Sequence, residues 1–378
     1  MKIKTLELCA VAMLGVSVPA LSSAASIELG DTTLTLGGYL KLDAMVSDYE
    51  ARPSASLEPL GRDYYVGPRG IPLDDGSGGV TLTDFHVKQS RLWIKSATKL
   101  SNGETLGTHL ELDFQNSGQG NETISHSYSP RLRQAFLTYG NWLFGQAWST
   151  FQNVGALPET LDFIGPTEST VFIRQPMIRY TTGRFQLAVE NPETRLAGEP
   201  VVTTDDNRIP DFVARFNVSE SLVVAALARS LESQDGPAGG VEDSTIAGGL
   251  SVSGKVKLGR DDIKYMVTAG TGLGRYLGVL ANLDANVDGN GEIDPIDSVA
   301  AFVAYRHFWN DKARSSLVLG TFDGDGDIET ASSVHLNYLY SPVKALTYGV
   351  EFIHALRENA DGSEGSMNRL QFSAKLGF

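Results

Sequence analysis

The chain of 378 residues is 42% hydrophobic and 20% charged, contains 40 glycines and carries a formal net charge of -14 with a pI near 4.9. This composition excludes collagen, a coiled coil and a disordered tail. The negative balance leaves nothing to neutralise a row of phosphates, so nucleic-acid partners are excluded as well. We find no linker, charge run or low-complexity segment, and therefore predict one large domain.

The first 25 residues have the order of features that defines a secretory signal peptide. Two lysines precede an apolar stretch at 8–21, and small residues follow it, so that cleavage after Ala24 or Ala25 fits equally well. We expect a mature domain of residues 26–378 with a net charge of -15, because two positive charges and one negative charge are removed. Cys9 lies in the removed segment, so the exported domain has no disulfide.

Alternation of apolar and polar residues is the dominant pattern of the mature chain. Residues 33–46 place leucines and valine on one face and threonine, lysine and aspartate on the other, and residues 369–378 repeat the pattern up to a terminal Phe. A period of two indicates a strand with one apolar and one polar side. No run of about 18 apolar residues follows the signal peptide, so no membrane-spanning helix is expected.

Sixteen such segments lie between turn signals. They are predicted at about 33–47, 86–99, 104–115, 130–139, 142–149, 172–182, 184–191, 210–218, 221–231, 244–257, 262–272, 298–308, 313–322, 331–340, 346–355 and 368–378. Tight turns with Gly, Asn, Asp or Ser alternate along the chain with long polar connections.

Short turns at one end, long loops at the other and two-sided strands are typical of an outer-membrane β-barrel. Lipid offers no hydrogen-bond partners, so a sheet within it must close on itself and turn apolar side chains outward. We therefore predict an all-β fold, a transmembrane antiparallel β-barrel of about 16 strands. A barrel of this size leaves an aqueous channel. The alternative, a soluble β-sandwich or β-helix, does not explain the aromatic residues near many strand ends.

The connection 149–172 is unusual because two leucines, Phe and Ile between 157 and 164 make it too apolar for a solvated surface loop. We expect this third long loop to fold inward against the barrel wall. It would bring Glu159, Asp162 and Glu168 toward the channel.

Arginines are concentrated on the predicted strands. On the lipid face of a barrel each would cost ~2 to 4 kcal/mol, so they must face water or a partner. Alternation predicts that Arg131 and Arg133 share one face, with Phe136 on the opposite face. Arg179 and Arg215 are predicted to face the channel.

Arg174 is out of phase with these residues, although the kink at Pro176 could turn it inward. Arginines opposite an acidic loop would select ions, and guanidinium groups hold carboxylates with two hydrogen bonds. A second interpretation stays open, in which the arginines pair with Asp113, Glu111 or Glu190 and brace the wall.

Five segments, in the order in which they occur, are specific to one family. They are GQAWSTF (145–151), ALPETLDFIGP (156–166), VFIRQPMIRYT (171–181), DNRIPDFVARFN (206–217) and RHFWNDKARSSLVLG (306–320). The chain resembles the DcaP-like outer-membrane porins over these segments, from about residue 30 to the C-terminus. The family pattern matches at Arg131, Arg133, Arg174, Arg179, Arg215 and Arg229.

The resemblance implies a trimeric barrel of the bacterial outer membrane that passes small anions, notably dicarboxylates, past a constriction of arginines. Glu159 and Asp162 complete the expected constriction. The implied partners are these solutes, outer-membrane lipid and lipopolysaccharide, and two further copies of the chain, with no cofactor. Some family members carry an N-terminal coiled-coil segment that is missing here, so a homotrimer would depend on contacts between barrel walls.

Two other classes of site were considered. Asp284, Asn286 and Asp288 begin like a calcium loop, but Pro295 stands where a bidentate Glu is required, so they are a weak metal candidate and no metal is expected. Neither G-x-S-x-G nor H-E-x-x-H occurs, so we do not expect an enzyme. The alternatives to an anion porin are a general cation-preferring porin and an outer-membrane hydrolase.

Overall fold

The structure is a computed structural model that describes residues 24–53, 58–115, 125–197, 202–204, 207–233, 243–279, 281–288 and 292–378. The expected signal peptide lies outside the described residues except for its last two positions. Among the described residues, no helix is long and apolar enough to cross a membrane.

The described residues form strands and very little helix. The strands are β1 (Ala25–Leu29), β2 (Thr32–Tyr49), β3 (Val80–His86), β4 (Arg91–Lys99), β5 (Thr105–Asp113), β6 (Arg131–Tyr139), β7 (Trp142–Trp148), β8 (Arg174–Thr182), β9 (Phe185–Glu190), β10 (Thr194–Ala197), β11 (Val202–Thr204), β12 (Asp211–Ser219), β13 (Leu222–Ser233), β14 (Asp243–Leu258), β15 (Asp261–Thr271), β16 (Ala285–Val287), β17 (Ile293–Pro295), β18 (Asp297–Phe308), β19 (Ala313–Gly324), β20 (Ile328–Val343), β21 (Leu346–Asn359) and β22 (Glu364–Gly377). The helical elements are α1 (Glu58–Asp63) and three single 3-10 turns at Pro68–Gly70, Val154–Ala156 and Thr167–Ser169.

Sixteen wall strands close into one antiparallel barrel. Neighbours along the chain pair from β4 to β9 and from β12 to β15, and then from β18 to β22; β9 pairs with β12 and β15 pairs with β18. The barrel closes where β2 pairs with β22, from Tyr39 opposite Gly377 to Tyr49 opposite Met367. Because β3 and β4 both pair with β2, they count as one interrupted wall strand. The predicted all-β barrel is confirmed.

The two faces of each wall strand differ in polarity, as β22 illustrates. Its apolar residues Leu370 and Phe372 are 52% and 45% exposed on the outside, whereas Arg369 and Gln371 are buried inside. A soluble protein would have the opposite arrangement, so the apolar outer surface matches a lipid environment.

Tight turns join the wall strands at one end of the barrel. Two of them depend on a glycine with positive φ, Gly183 at 56° and Gly259 at 66°. This region is strained for residues with a Cβ atom, so glycine is favoured there. The long connections, as far as the structure describes them, lie at the other end.

The prediction that Phe136 lies on the face opposite to Arg133 is wrong. A bulge interrupts the pairing of β6 with β5, and an extra residue reverses the face on which the following residues lie. Leu132 before the bulge and Leu137 after it are therefore both exposed on the outer surface. Phe136 consequently points inward, as Arg133 does, and its ring stacks on that of His109 at 5.1 Å.

The sequence patterns also missed several elements. The hairpin strand β1 pairs with the start of β2, and β3 extends the second wall strand back to Val80. A small sheet of β11, β10, β16 and β17 lies outside the barrel sheet. The strands of this small sheet are too short to produce an alternating pattern.

Long connections fold into the interior and contact one another. In the third loop, residues 149–173, Thr167 Oγ1 donates to Tyr65 O, in the connection between β2 and β3, at 2.8 Å. The N–H of Phe172 donates to Tyr276 O, in the connection after β15, at 3.0 Å. The predicted inward folding of the third loop is confirmed, and the other two connections narrow the lumen further.

Candidate functional site: the arginine-lined lumen

A cluster of arginines lies on wall strands β4 and β6. Arg131 donates to both carboxylate oxygens of Asp113 at 2.9 Å. Arg133 is 1% exposed and donates to Glu111 Oε1 at 2.6 Å and to Asp113 Oδ2 at 2.7 Å. Arg91 lies 3.7 Å from Glu111. Arg131 and Arg133 are therefore held by two wall carboxylates.

Aromatic rings cover this cluster from the side of the inward loop. The guanidinium carbon of Arg133 lies 5.4 Å from the ring centroid of Phe163 and 5.6 Å from that of Trp148. Arg174 lies over the same Trp148 ring at 4.5 Å, so it joins the cluster although it is out of phase with Arg179. Such cation–π contacts fix a guanidinium group without neutralising its charge.

Unlike Arg131 and Arg133, three further arginines are not held by wall carboxylates. We call them the unpaired arginines: Arg174, Arg179 and Arg215. Within the described part of the chain, no carboxylate forms an ion pair with any of the three, and Arg174 Nη1 is buried without a hydrogen-bond partner. Arg215 Nη1 donates to Gln152 O at 2.7 Å, and Arg179 Nη1 donates to Trp148 O at 3.4 Å. Neutral acceptors thus orient Arg179 and Arg215, and all three groups are partly exposed. Glu190 and Asp113 act on Arg179 and Arg174 only at longer range than an ion pair.

Glu159 of the inward loop is held by two arginines of the opposite wall. Arg314 donates from Nε to both carboxylate oxygens at 3.0 and 2.9 Å and from Nη2 to Oε1 at 2.6 Å. Arg306 Nη1 donates to Oε2 at 2.8 Å. Burial alone would raise the pKa of Glu159, but the two arginines outweigh it and lower this pKa to about 2. The partners of Glu159 are therefore not Arg131 and Arg133.

Lysines that the sequence patterns did not single out add to the positive lumen. Lys264 Nζ donates to Leu157 O and Lys41 Nζ to Leu161 O, each at 2.5 Å, which holds the loop along the wall. Lys375 lies close enough to interact with the charges of both wall clusters. All three lysines are on the polar phase of their strands, so alternation could have identified them.

Asp162 and Glu168 anchor the inward loop. Asp162 Oδ1 accepts the N–H of Tyr65 at 2.8 Å, and Glu168 Oε1 accepts the hydroxyl of Ser333 at 2.8 Å. Both carboxyls are buried, which raises the pKa of each, although His335 opposes the rise. The expectation that Asp162 lines the constriction is wrong, because its oxygens bind backbone N–H groups inside the loop packing.

Arg229 also has a structural position. It is 2% exposed, its Nη1 donates to Asp284 Oδ1 at 2.7 Å and to Gly272 O at 2.8 Å, and its Nε lies 3.5 Å from Asp211 Oδ1. The expectation that Arg229 lines the constriction is therefore wrong. It fixes the connection after β15 to the wall.

The first residue of the weak metal candidate is Asp284, which is already paired with Arg229. Asp284 Oδ2 also accepts the N–H of Arg195 at 2.9 Å, Asn286 lies in β16, and Asp288 accepts the N–H of Glu292 at 2.9 Å. Among the residues that the structure describes, no group of three or more His, Cys, Asp or Glu could hold a metal ion.

A closed barrel of sixteen strands with an apolar exterior, a charged lumen and an inward loop defines an outer-membrane channel of the porin class. The family model described as DcaP outer membrane protein matches residues 57–378. The chain therefore belongs to the DcaP outer membrane protein family and is a multi-pass β-barrel of the outer membrane, as the resemblance implied.

Solved structures share this fold at low sequence identity. The outer membrane channel DcaP of Acinetobacter baumannii has a TM-score of 0.75 and 24% identity over 92% of this chain and 97% of that chain. An anion-selective porin from Comamonas acidovorans has a TM-score of 0.54 and 11% identity over 92% and 100%. The trimer form of OmpT from Vibrio cholerae has a TM-score of 0.52 and 12% identity over 92% and 99%. No curated protein sequence is significantly similar to the chain.

Proposed function

We propose that the protein is a porin through which small anionic solutes, dicarboxylates above all, diffuse past an arginine-lined constriction. The observation that carries this proposal is the set of unpaired arginines, which have no carboxylate partner among the described residues. Partly buried charges attract counter-ions more strongly than charges in bulk water do, because the effective dielectric constant is lower. An anion that enters the lumen gains this attraction.

Two carboxylate groups suit this arrangement better than one. Arg179 and Arg215 are close enough for their charges to interact, and Arg174 adjoins the cluster of Arg91, Arg131 and Arg133. A dianion can therefore meet a second guanidinium group before it leaves the first. A zwitterion of the same length is repelled through its ammonium group, so the lumen favours dicarboxylates over it.

The net charge of the whole chain does not decide selectivity. Charges on outer loops are screened within ~8 Å at physiological salt, whereas charges at the constriction act on every ion that passes. The unpaired arginines at the constriction therefore decide selectivity, and the overall value of -14 does not.

Conductance of the purified protein in a planar bilayer tests this function. We expect an anion preference in the reversal potential under a KCl gradient. Succinate should reduce the chloride current more than γ-aminobutyrate, a zwitterion of the same chain length. Strong cation preference without a succinate effect would leave the general cation-preferring porin, and hydrolysis of lipid or peptide without conductance would leave the enzyme.

We also propose a homotrimer, on the basis of unequal wall height. Strands β7 and β9 have 7 and 6 residues, whereas β14 and β20 have 16 each. At about 3.3 Å per residue and a tilt of roughly 40°, seven residues rise only about 18 Å, less than an apolar band of about 25 Å. Burial against another copy would relieve this mismatch. A monomeric mass in detergent and in native membranes would contradict the proposal.

The domain boundaries are part of the same proposal. Residues 1–25 would be removed during export, and residues 26–378 would form one barrel domain surrounded by outer-membrane lipid and lipopolysaccharide. N-terminal sequencing of the membrane-extracted protein tests the cleavage position.

A further inference from the structure

Glu159 binds the wall as a solute carboxylate would. Its two oxygens take four hydrogen bonds from Arg306 and Arg314, at 2.6 to 3.0 Å. Two of them come in parallel from Nε and Nη2 of Arg314, which is the bidentate geometry of strong carboxylate recognition.

We propose that Arg306 and Arg314 form a second carboxylate-binding site of the channel, which Glu159 occupies as an internal competitor of the solute. The inference rests on the proposed anion-channel function and adds to it a residue that sets affinity. We call Arg306 and Arg314 the masked site, and the unpaired arginines the open site.

The masked site is built independently of its occupant. Arg306 and Arg314 lie on the neighbouring strands β18 and β19, and each has a second partner on the wall. Arg306 Nη2 lies 2.5 Å from Asp262 Oδ2, and Arg314 Nη1 donates to Ser341 Oγ at 2.9 Å. Both guanidinium groups would therefore keep their positions if the carboxylate of Glu159 were removed.

The charges at this site favour an incoming anion. Lys264 and Lys375 stand near Glu159, and their charges interact with it. Lys255 lies 3.9 Å from Asp262, so five cationic groups surround two carboxylates, those of Glu159 and Asp262. Removing the charge of Glu159 would leave an excess of four positive charges.

A solute can reach the masked site from the lumen. The side chains of Glu159, Arg306 and Arg314 are 17% to 19% exposed rather than sealed. Lys375 interacts with the charges of both Arg91 and Arg314, so the field continues from the arginine cluster to the masked site. Exchange of Glu159 for a solute carboxylate then needs only a small movement of the loop.

Single-channel recording of the full-length mature protein with succinate as probe tests the competitor. In Glu159→Gln the side chain keeps its size and loses its charge. We expect a higher anion-to-cation permeability ratio and a succinate affinity raised about fivefold, which corresponds to about 1 kcal/mol for a charge pair in a wet channel. Adding Arg306→Gln and Arg314→Gln to this variant should remove the gain.

Asn337→Ala is the matched control, because Asn337 Nδ2 donates to Glu159 O at 2.9 Å and anchors the same loop position without a charge. We expect no gain in succinate affinity from it. An equal gain would mean that loop release explains the effect, and an unchanged affinity in Glu159→Gln would mean that the site is only structural. Either result overturns the inference.

The two proposals fail in different ways. Wild-type channels that block with succinate, together with a silent Glu159→Gln, would contradict the masked site alone. Wild-type channels without any anion or succinate preference would contradict the proposed function, whatever the variant does.

Discussion

Arg133 and Arg179 both point into the lumen, but of the two only Arg133 forms ion pairs with carboxylates of the described residues. Its guanidinium group donates to Glu111 at 2.6 Å and to Asp113 at 2.7 Å, whereas Arg179 donates to the carbonyl oxygen of Trp148 at 3.4 Å. The same residue type therefore has two kinds of partner in one lumen. Arg133 braces the wall, and under the proposed function Arg179 binds the solute.

Replacing Arg179 by Ala should weaken dicarboxylate binding without unfolding the barrel. A charge-assisted contact contributes ~1.5 to 3 kcal/mol when it is desolvated and less in a wet channel, so we expect a loss of about 1 kcal/mol, or roughly fivefold in affinity. Succinate block of single channels measures the loss, and the unfolding temperature should stay at the wild-type value.

The matched substitution is Arg133→Ala, which should act on stability. It leaves Glu111 and the fully buried Asp113 without one of their guanidinium partners, and breaking a buried ion pair in this way costs about 3 to 5 kcal/mol. Migration on SDS gels after incubation at rising temperatures measures this. The band of the folded barrel should be lost at a lower incubation temperature than in the wild type. Equal losses of affinity in both variants, with equal stability, would indicate a diffuse field instead of distinct roles.

The wall of the barrel was predictable from sequence because lipid and water impose a period of two on every strand. That pattern depends only on neighbouring residues, so strands such as β22 were recognised without knowledge of their partners. The inward third loop was predictable for the same reason, since apolar residues in a long connection must be buried.

The role of each charged residue was not predictable, because it depends on contacts between distant parts of the chain. Glu159 and Arg314 are 155 residues apart in sequence, and although both lie in segments that carry the family resemblance, nothing in either segment indicates that they pair. The bulge in β6 reversed the direction of Phe136, and no local pattern marked it. Arg229 matched the family pattern, but its buried partners Asp211 and Asp284 determine its position.

Arg229→Ala should destabilise the protein and leave solute binding unchanged. It would leave two buried carboxylates, Asp211 and Asp284, without their guanidinium group, at a cost of about 3 to 5 kcal/mol. Thermal unfolding followed by circular dichroism measures this. Arg260→Ala is the control, because Arg260 and its partner Asp311 are 61% and 93% exposed, and exposed pairs contribute about 0 to 1 kcal/mol. A large loss of succinate affinity in Arg229→Ala would contradict its structural position.

Gly320→Ala should displace the inward loop, because Gly320 on β19 faces the loop at close range. A Cβ atom at this position would lie 2.1 Å from Glu168 Oε1 and 2.7 Å from Pro166 Cβ, so the loop must move. We expect an altered single-channel conductance and greater current noise. Gly183→Ala, in a tight turn where a Cβ atom meets nothing within 4 Å, should lower stability slightly and leave the conductance unchanged. A wild-type conductance in Gly320→Ala would mean that the loop does not limit the current.

Because Glu159 forms an ion pair, the difference in stability between wild type and Glu159→Gln should change with pH only in the acid range. The pKa of Glu159 is lowered from 4.5 to about 2 in the folded protein, so the ionised form stabilises the folded state. This contribution is complete above the ordinary pKa and is lost as the pH falls through 4.5 toward about 2. The other titratable groups are common to both proteins and largely cancel in the difference. The difference in unfolding temperature should therefore be constant from pH 7 to pH 5 and shrink below pH 4.5. An equal difference at neutral pH and near pH 2 would contradict the ion pair.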